Sequence, residues 1–427
     1  MDTFAHVPAA AVPLVPADAM PSWWQRRWPS GGHAPLDRDC SADVVVVGGG
    51  VSGCSAAWHL ARAGVRVRLL EAREIAAGAS GRNGGFLLAG LARRPVALAE
   101  LVGSSRAAEL FAITAEGRER LFEVAETIGA GAFAARTGSL RLAVDAGELA
   151  ELHAEAELLE AMGDVRVQRL DAHELPERLV GHFVGGLRFP DDGRSVPAGW
   201  VRALAAAAER EGAIVHEHSP AAAIEDDDVQ VTVRTAAGHV VRAEHVVVAT
   251  EAWLPALLPE LAGRVLPYRS QVLAAAAPRD DAGEVVRVLP HVTWSRRGWD
   301  YAQQAADGTL VVGGEQLEEL ERLRHWTEDV EPDDQAWIES WIERVVGIRP
   351  TVVARWAGVL GQTSDDFPIL GALPGRPRVV SCGGWGGAGN VLGFVGGSMV
   401  ADLVRGGTDR IPAEFRAARI EPAVESR

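Results

Sequence analysis

The stretch Asp43 to Gly53, DVVVVGGGVSG, decides how this chain is read. Four successive valines form a β-branched run with no polar face, which is what a strand buried on both sides requires. Gly48, Gly50 and Gly53 then fall on the G-x-G-x-x-G pattern, and Ser52 to Ala63 reads as a helix. Val65 to Glu71 (VRVRLLE) supplies a second strand, completing a β-α-β unit of about 30 residues. Each glycine has its own task there: Gly48 permits the tight turn, Gly50 lets the backbone approach a pyrophosphate, and Gly53 lets the helix pack on the strand. Phosphates sit at the helix N-terminus, where unpaired N–H groups and the helix dipole favour negative charge. Glu71 ends the second strand at the distance where an acidic side chain receives ribose hydroxyls, which favours an unphosphorylated ribose, as in NAD or FAD.

Working outward, 427 residues suffice for two or three domains with a sizeable core. The net charge of −16 repels phosphate backbones and anionic lipid, so a small molecule is expected as partner rather than nucleic acid or a membrane. No apolar run reaches the roughly 18 residues of a spanning helix, and no basic leader precedes an apolar stretch. Cys40, Cys54 and Cys382 form neither a disulfide framework nor a C-x-x-C pair, so no metal is expected and the setting reads as reducing and cytoplasmic. Every basic side chain apart from histidine is arginine, because the sequence holds no lysine. That excludes Walker-A phosphate binding and Schiff-base catalysis.

The pattern predicts an N-terminal arm over 1–40, Pro- and Ala-rich with Trp23, Trp24 and Trp28, lying on a domain surface. A discontinuous dinucleotide-binding domain is expected over 41–100, 190–264 and 350–412. An interleaved α+β domain on an antiparallel or mixed sheet takes 101–189 and 265–349, and 413–427 forms a tail. Helices are expected over Ser105–Ile128, Glu148–Met162, Trp200–Glu211, Trp337–Val346 and Leu392–Val404, and strands at Gln271–Ala276 and Thr309–Gly313. The fold class is therefore α/β with a Rossmann-type domain.

The residues after Glu71 separate NAD from FAD by resemblance. Gly78 to Phe86 (GASGRNGGF) resembles the flavin-contacting loop of the D-amino-acid-oxidase-like family of FAD-dependent oxidoreductases. Three later segments follow in that family's order. Val246 to Thr250 (VVVAT) is similar to the strand under the FAD pyrophosphate, with Glu251 where the family usually carries Gly or Asn. Gly298 to Gly314 resembles its substrate-domain strands. Trp356 to Gly371, then Gly383 to Gly389 and a helix, resemble its flavin-closing motif, with Gly386 and Ala388 where Ser and His are common. The resemblance spans most of the chain after residue 40.

The resemblance implies an FAD enzyme that oxidises a C–N bond of a small amine or amino acid to an imine by hydride transfer, with O2 or another acceptor taking the electrons. Members of the sarcosine-oxidase type place a lysine near the flavin for reaction with oxygen, and this chain has none. Implied cofactor contacts are Gly48, Gly50, Val51, Ser52 and Gly53, then Glu71 and Ala72, and Ser80, Arg82, Asn83 and Gly84. Further along they are Ala221, Ala249, Thr250, Trp253 and Gly358, and finally Gly387, Gly389, Asn390 and Val391. Candidate substrate-side residues are Tyr268, Tyr301 and Gln303, with His291 and Trp294 near in sequence. Arg136, Arg141 or Arg296 is a candidate carboxylate ligand. A redox-silent flavoprotein and another class of FAD oxidoreductase remain as alternatives; the Cys-x-x-x-x-Cys of disulfide reductases is absent. The sequence carries no signal for oligomeric state.

Overall fold

A computed structural model describes residues 12–13, 19–163, 165–227, 229–315 and 320–420. The valine run forms the strand Val44–Val47, buried at every position, at the centre of a six-stranded sheet. Its neighbours are Val67–Leu70 on one side and His245–Val248 on the other. Ile214–His216 extends the first side and Arg376–Gly383 the second, all parallel, and Ile369–Leu373 closes the edge antiparallel. Ranked by position in the chain, the parallel strands lie in the order 3-2-1-4-5, a doubly wound arrangement. Its switch point falls between Val44–Val47 and His245–Val248, where such sheets open a crevice at their carboxyl ends.

The helix Val51–Arg62 runs back from the glycine turn and packs against Pro197–Arg210 and Gly389–Val404. The last contact is close because Gly397 has no side chain: a Cβ there would lie 2.4 Å from the Ser52 carbonyl oxygen. A four-stranded sheet formed by Cys40–Ser41, Ala221–Asp226, Val231–Thr235 and Val240–Ala243 covers one flank.

The second large sheet has eight strands, ordered Val352–Thr363, Val265–Ala275, Leu310–Gly313, Asp300–Gln304, Val292–Ser295, Ser139–Ala143, Gly185–Phe189, Gln168–Asp171. Pairing is antiparallel except between Val292–Ser295 and Ser139–Ala143. Its long helices are Ser104–Thr127 and Ala146–Met162. The helix expected over Trp337–Val346 instead begins at Pro332, ends as α-helix at Trp341, and continues as one wide turn over Ile342–Val346. Pro332 at the first helical position presets the backbone angle and lacks only an N–H that the helix leaves unpaired anyway.

Two expectations change at the chain ends. The arm is not draped on a surface: Ser22 caps the short helix Trp23–Arg27, and Trp24 is fully buried in the main core with Trp58, Trp200 and Phe394. The sequence signal failed because one helical turn is too short to show a period. Its portions 1–11 and 14–18 lie outside the described residues. The tail is docked through 420: Phe415 and Ala417 are buried, and Arg419 pairs with Asp365 at 2.9 Å. Residues 421–427 lie outside the described residues. Among the described residues no helix is long and apolar enough to cross a membrane.

Candidate functional site

The glycine turn shapes the site by steric necessity. Gly48 has φ +108°, and a Cβ there would stand 2.5 Å from the Ala249 carbonyl oxygen. At Gly53 a Cβ would be 1.9 Å from the Gly48 carbonyl oxygen, so the helix can leave the strand at this angle only with glycine. Gly50 is the N-cap, extended and without a side-chain cap, so the helix start presents backbone N–H groups to the crevice. The Val51 N–H donates to Ser80 Oγ at 3.0 Å, tying this turn to the next wall. Glu71 accepts the Gly49 N–H at 2.6 Å and the Arg73 N–H at 2.8 Å, while burial raises its pKa.

The cleft at the switch point has an empty volume of about 1200 Å³. Gly48, Gly50, Val51, Ser52, Glu71, Ala72, Ser80, Asn83, Ala221, Ala249, Thr250, Trp253, Gly387, Gly389 and Asn390 line it. Sequence reading placed Gly78, Ala79, Val359, Leu360 and Trp385 in flavin-associated segments without singling them out, missed Arg73 and Leu257, and treated Glu251 only as a departure. Asn83 Oδ1 accepts from Asn390 Nδ2 at 3.0 Å, joining the 78–85 loop to the C-terminal helix. The N-terminal helix straps that loop from behind: Ser22 Oγ donates to the Gly81 carbonyl at 2.6 Å and Trp24 Nε1 to that of Asn83 at 3.0 Å.

Gly53, Arg82, Gly84, Gly358 and Val391 do not line the cleft. Gly53 acts through helix packing, Gly358 gives room to the Arg82 side chain at 3.1 Å, and Val391 is a core residue. Arg82 is a correction. Its guanidinium donates to the carbonyls of Ala77, Met20 and Ala357 and pairs with buried Glu328 at 3.2 Å, pointing away from the crevice. Desolvation lowers its pKa to about 10, which leaves it charged at neutral pH. It clamps the loop because the loop's carbonyls turn inward, a fact the glycine-rich sequence does not show.

The eight-stranded sheet turns one face to the loop. Direct pairing sets Trp356, Val272, Gly313, Tyr301, Trp294 and Arg141 in a row across it. The Tyr301 ring packs over Gly84 and Gly313, where a Cβ would come within 2.8 and 2.0 Å of it. Its hydroxyl lies 2.9 Å from Ser270 Oγ, which donates to Glu315 Oε1 at 2.5 Å. Glu315 also accepts the Gln271 N–H at 3.2 Å and has no ion-pair partner among the described residues. Burial pushes its pKa up to about 8. Tyr268 follows on the same face with its hydroxyl buried and unpaired among the described residues. Ser270 and Glu315 escaped sequence reading, although Glu315 directly follows Gly313-Gly314 at a strand end.

The remaining candidates are structural. Gln303 Nε2 donates to the Gly84 carbonyl and to that of Ser195, holding the loop instead of facing a substrate. His291 Nδ1 bonds the Thr137 carbonyl beside Gly138, away from the Tyr301 row. Arg136 pairs with Glu119, Arg141 with Glu155 and Arg296 with Asp300, so all three arginines proposed for a carboxylate are already neutralised. Cys382 is fully buried, and burial raises its pKa. Among the described residues no cluster of acidic, cysteine and histidine side chains suits a metal ion.

A nucleotide diphosphate with a flat ring system fits this cleft. The glycine turn leaves a cradle that side chains would fill, Thr250 Oγ1 is buried with no partner among the described residues, and helix-start N–H groups face in. Fold and cleft together define a dinucleotide-binding protein built on a doubly wound sheet. The family model for FAD dependent oxidoreductase (DAO) matches residues 43–403, and the chain belongs to that family. Gamma-glutamylputrescine oxidoreductase of Escherichia coli (strain K12) is 30% identical over 388 residues, 89% of this chain and 88% of that protein. Glycine oxidase of Bacillus licheniformis is 28% identical over 394 residues, covering 89% and 98%. The crystal structure of glycine oxidase from Geobacillus kaustophilus superposes with a TM-score of 0.76 at 25% identity, over 89% of this chain and 99% of that one. The protein is thus an FAD-dependent oxidoreductase with a Rossmann-type FAD-binding domain.

Proposed function

We propose that this enzyme oxidises the carbon–nitrogen bond of a small amine or amino acid to an imine, which water then hydrolyses. The observation that carries this reading is the buried array Tyr301–Ser270–Glu315, set against Gly84 of the loop at the cleft. The names of two relatives, an oxidoreductase of gamma-glutamylputrescine and a glycine oxidase, agree with it. FAD supplies the two-electron acceptor for the hydride, and O2 or another acceptor reoxidises it. The protein binds, orients and moves protons.

In this reading the residues lining the cleft from Gly48 to Asn390 would hold FAD, the helix start receiving its diphosphate and Glu71 its adenosine ribose. Tyr301 and the strand beneath it cover the reacting face. When ionised, as pH rises through about 8, Glu315 attracts the substrate's ammonium, and the apolar surroundings of Trp294, Val272 and Leu360 favour the neutral amine that reaction requires. As charge leaves the nitrogen, Glu315 is placed to take its proton through Ser270. The three free cysteines fit a reducing, cytoplasmic setting.

An anaerobic visible spectrum of the holoenzyme, titrated with amines and amino acids and then aerated, tests the reading. Bleaching by one class names the substrate, and recovery in air distinguishes an oxidase from a dehydrogenase. A flavin inert to every amine and amino acid overturns it and leaves a redox-silent flavoprotein or another oxidoreductase chemistry.

A further inference from the structure

Glu251 is the residue of the cleft that the family pattern does not explain. It lies at φ +53°, a left-handed conformation that costs a non-glycine residue about 1 kcal/mol or more. Its carboxylate is part-buried and lines the cleft. Oε1 accepts the N–H groups of Gly361 at 3.0 Å and Trp385 at 3.3 Å, and Oε2 that of Gly384 at 2.9 Å. Room for it comes from missing side chains: a Cβ on Gly383 would be 3.3 Å from Glu251 Oε2, and one on Gly361 would be 3.1 Å from the Ala252 backbone. The carboxylate therefore ties the Val352–Thr363 strand to the 384–389 loop across the mouth of the parallel sheet.

Among the described residues no cation balances it. Arg355 of the adjoining strand pairs with Glu339, and Arg376 on the other side pairs with Asp226 and Glu260. The titratable neighbour is the Cys382 thiol, kept neutral by burial. The other carboxylate of the cleft, Glu71, is at the opposite end of the glycine turn with its own N–H donors.

We propose that Glu251 is a positioning residue that couples FAD binding to proton uptake: entry of the diphosphate beside this part-buried, unbalanced carboxylate of the cleft wall forces it to take up a proton. Two features place the charges within reach. Ala249 touches the Gly48 turn, and Glu251 follows only two residues later, so its backbone lies about 7 Å along the chain from the phosphate cradle. Repulsion across a cleft emptied of water is weakly screened. Burial alone already raises the Glu251 pKa to about 7, so the added charge acts in the neutral range.

The sign follows from linkage. A carboxylate whose pKa is higher with FAD bound than without gains a proton on binding, so affinity falls as pH rises from the lower value to the higher one. A rise of about one unit makes the FAD dissociation constant increase by about tenfold between about pH 6 and pH 9. Glu71 works in the opposite direction, because ribose hydroxyls donate to its ionised form and lower its pKa.

The test is FAD binding to the apoprotein, by calorimetry in buffers of different ionisation enthalpy across that range. The wild type is expected to take up protons and to weaken about tenfold toward high pH; Glu251→Gln is expected to lose both effects and to keep only the opposite contribution of Glu71. Glu251→Gly, which relieves the left-handed strain, serves as a second variant should the amide misfold, and it too is expected to lose the proton uptake and the weakening toward high pH. A wild-type profile without proton uptake, or an unchanged profile in the folded variant, overturns the proposal. Neither result depends on the substrate, so the reading of amine oxidation stands or falls separately.

Discussion

The cleft at the glycine turn, proposed to hold FAD, and the eight-stranded sheet, proposed to face the substrate, are built on different principles. Around the cleft, shape comes from the backbone: Gly48 and Gly53 admit no Cβ, and the donors are peptide N–H groups at a helix start. On the eight-stranded sheet, chemistry comes from side chains gathered from distant segments: Ser270, Tyr301 and Glu315 sit on different strands or strand ends and meet only across the sheet. A backbone requirement is stringent and local, so it writes itself into a short motif. A side-chain array tolerates many sequences and is fixed by register alone.

Breaking the cleft is therefore expected to have the largest effect. Gly53→Val places atoms where the Gly48 carbonyl already sits, at a cost of about 3 kcal/mol or more. The variant should purify without flavin absorbance, and a normally yellow Gly53→Val protein would show that the turn is looser than its contacts imply.

Next comes the seam between the two regions. Arg82→Ala removes donors to three carbonyls and leaves Glu328 with one fewer guanidinium, although Arg73 still pairs with it at 2.7 Å. Loss of a partner from a buried pair costs about 3 kcal/mol at the lower end of the usual range. The expected result is a lower thermal midpoint with FAD partly lost. Loss of FAD at an unchanged midpoint would instead point to direct contact with the cofactor.

The sheet side should respond in rate while keeping its flavin. Glu315→Gln is expected to retain FAD and to raise the amine concentration needed for half-maximal flavin reduction by about tenfold, as loss of one charge-assisted contact implies. Because Glu315 ionises as pH rises through about 8, the wild type should gain affinity relative to the variant over that interval. Taking the ratio at each pH cancels the titration of the amine itself. A constant ratio would remove Glu315 from substrate recognition.

The smallest effect is expected for Tyr301→Phe, which removes one hydrogen bond to Ser270 worth about 1 kcal/mol and leaves the ring over Gly84. Stopped-flow reduction should slow about fivefold with FAD content unchanged. An unaltered rate would confine Tyr301 to packing.

Sequence alone determined the dinucleotide unit, because a strand, three glycines and an acidic residue at fixed spacing are consequences of backbone sterics and charge acting within about 30 residues. It also determined the family, through segments recurring in order. Helix positions followed from apolar periodicity, since one face of each had to be buried. Tertiary structure decided the rest. Arg82, Gln303 and His291 carry functional side-chain chemistry in sequence, yet their hydrogen bonds go to backbone carbonyls of the 77–84 loop, the 357 strand, Ser195 and Thr137. Trp24 has a surface arm's sequence context and a core position. Glu251 is one letter in a familiar strand until Gly361, Gly384 and Trp385 close around it. Buried polar groups must find partners, and which partners lie within reach is settled by packing between segments hundreds of residues apart, about which local sequence is silent.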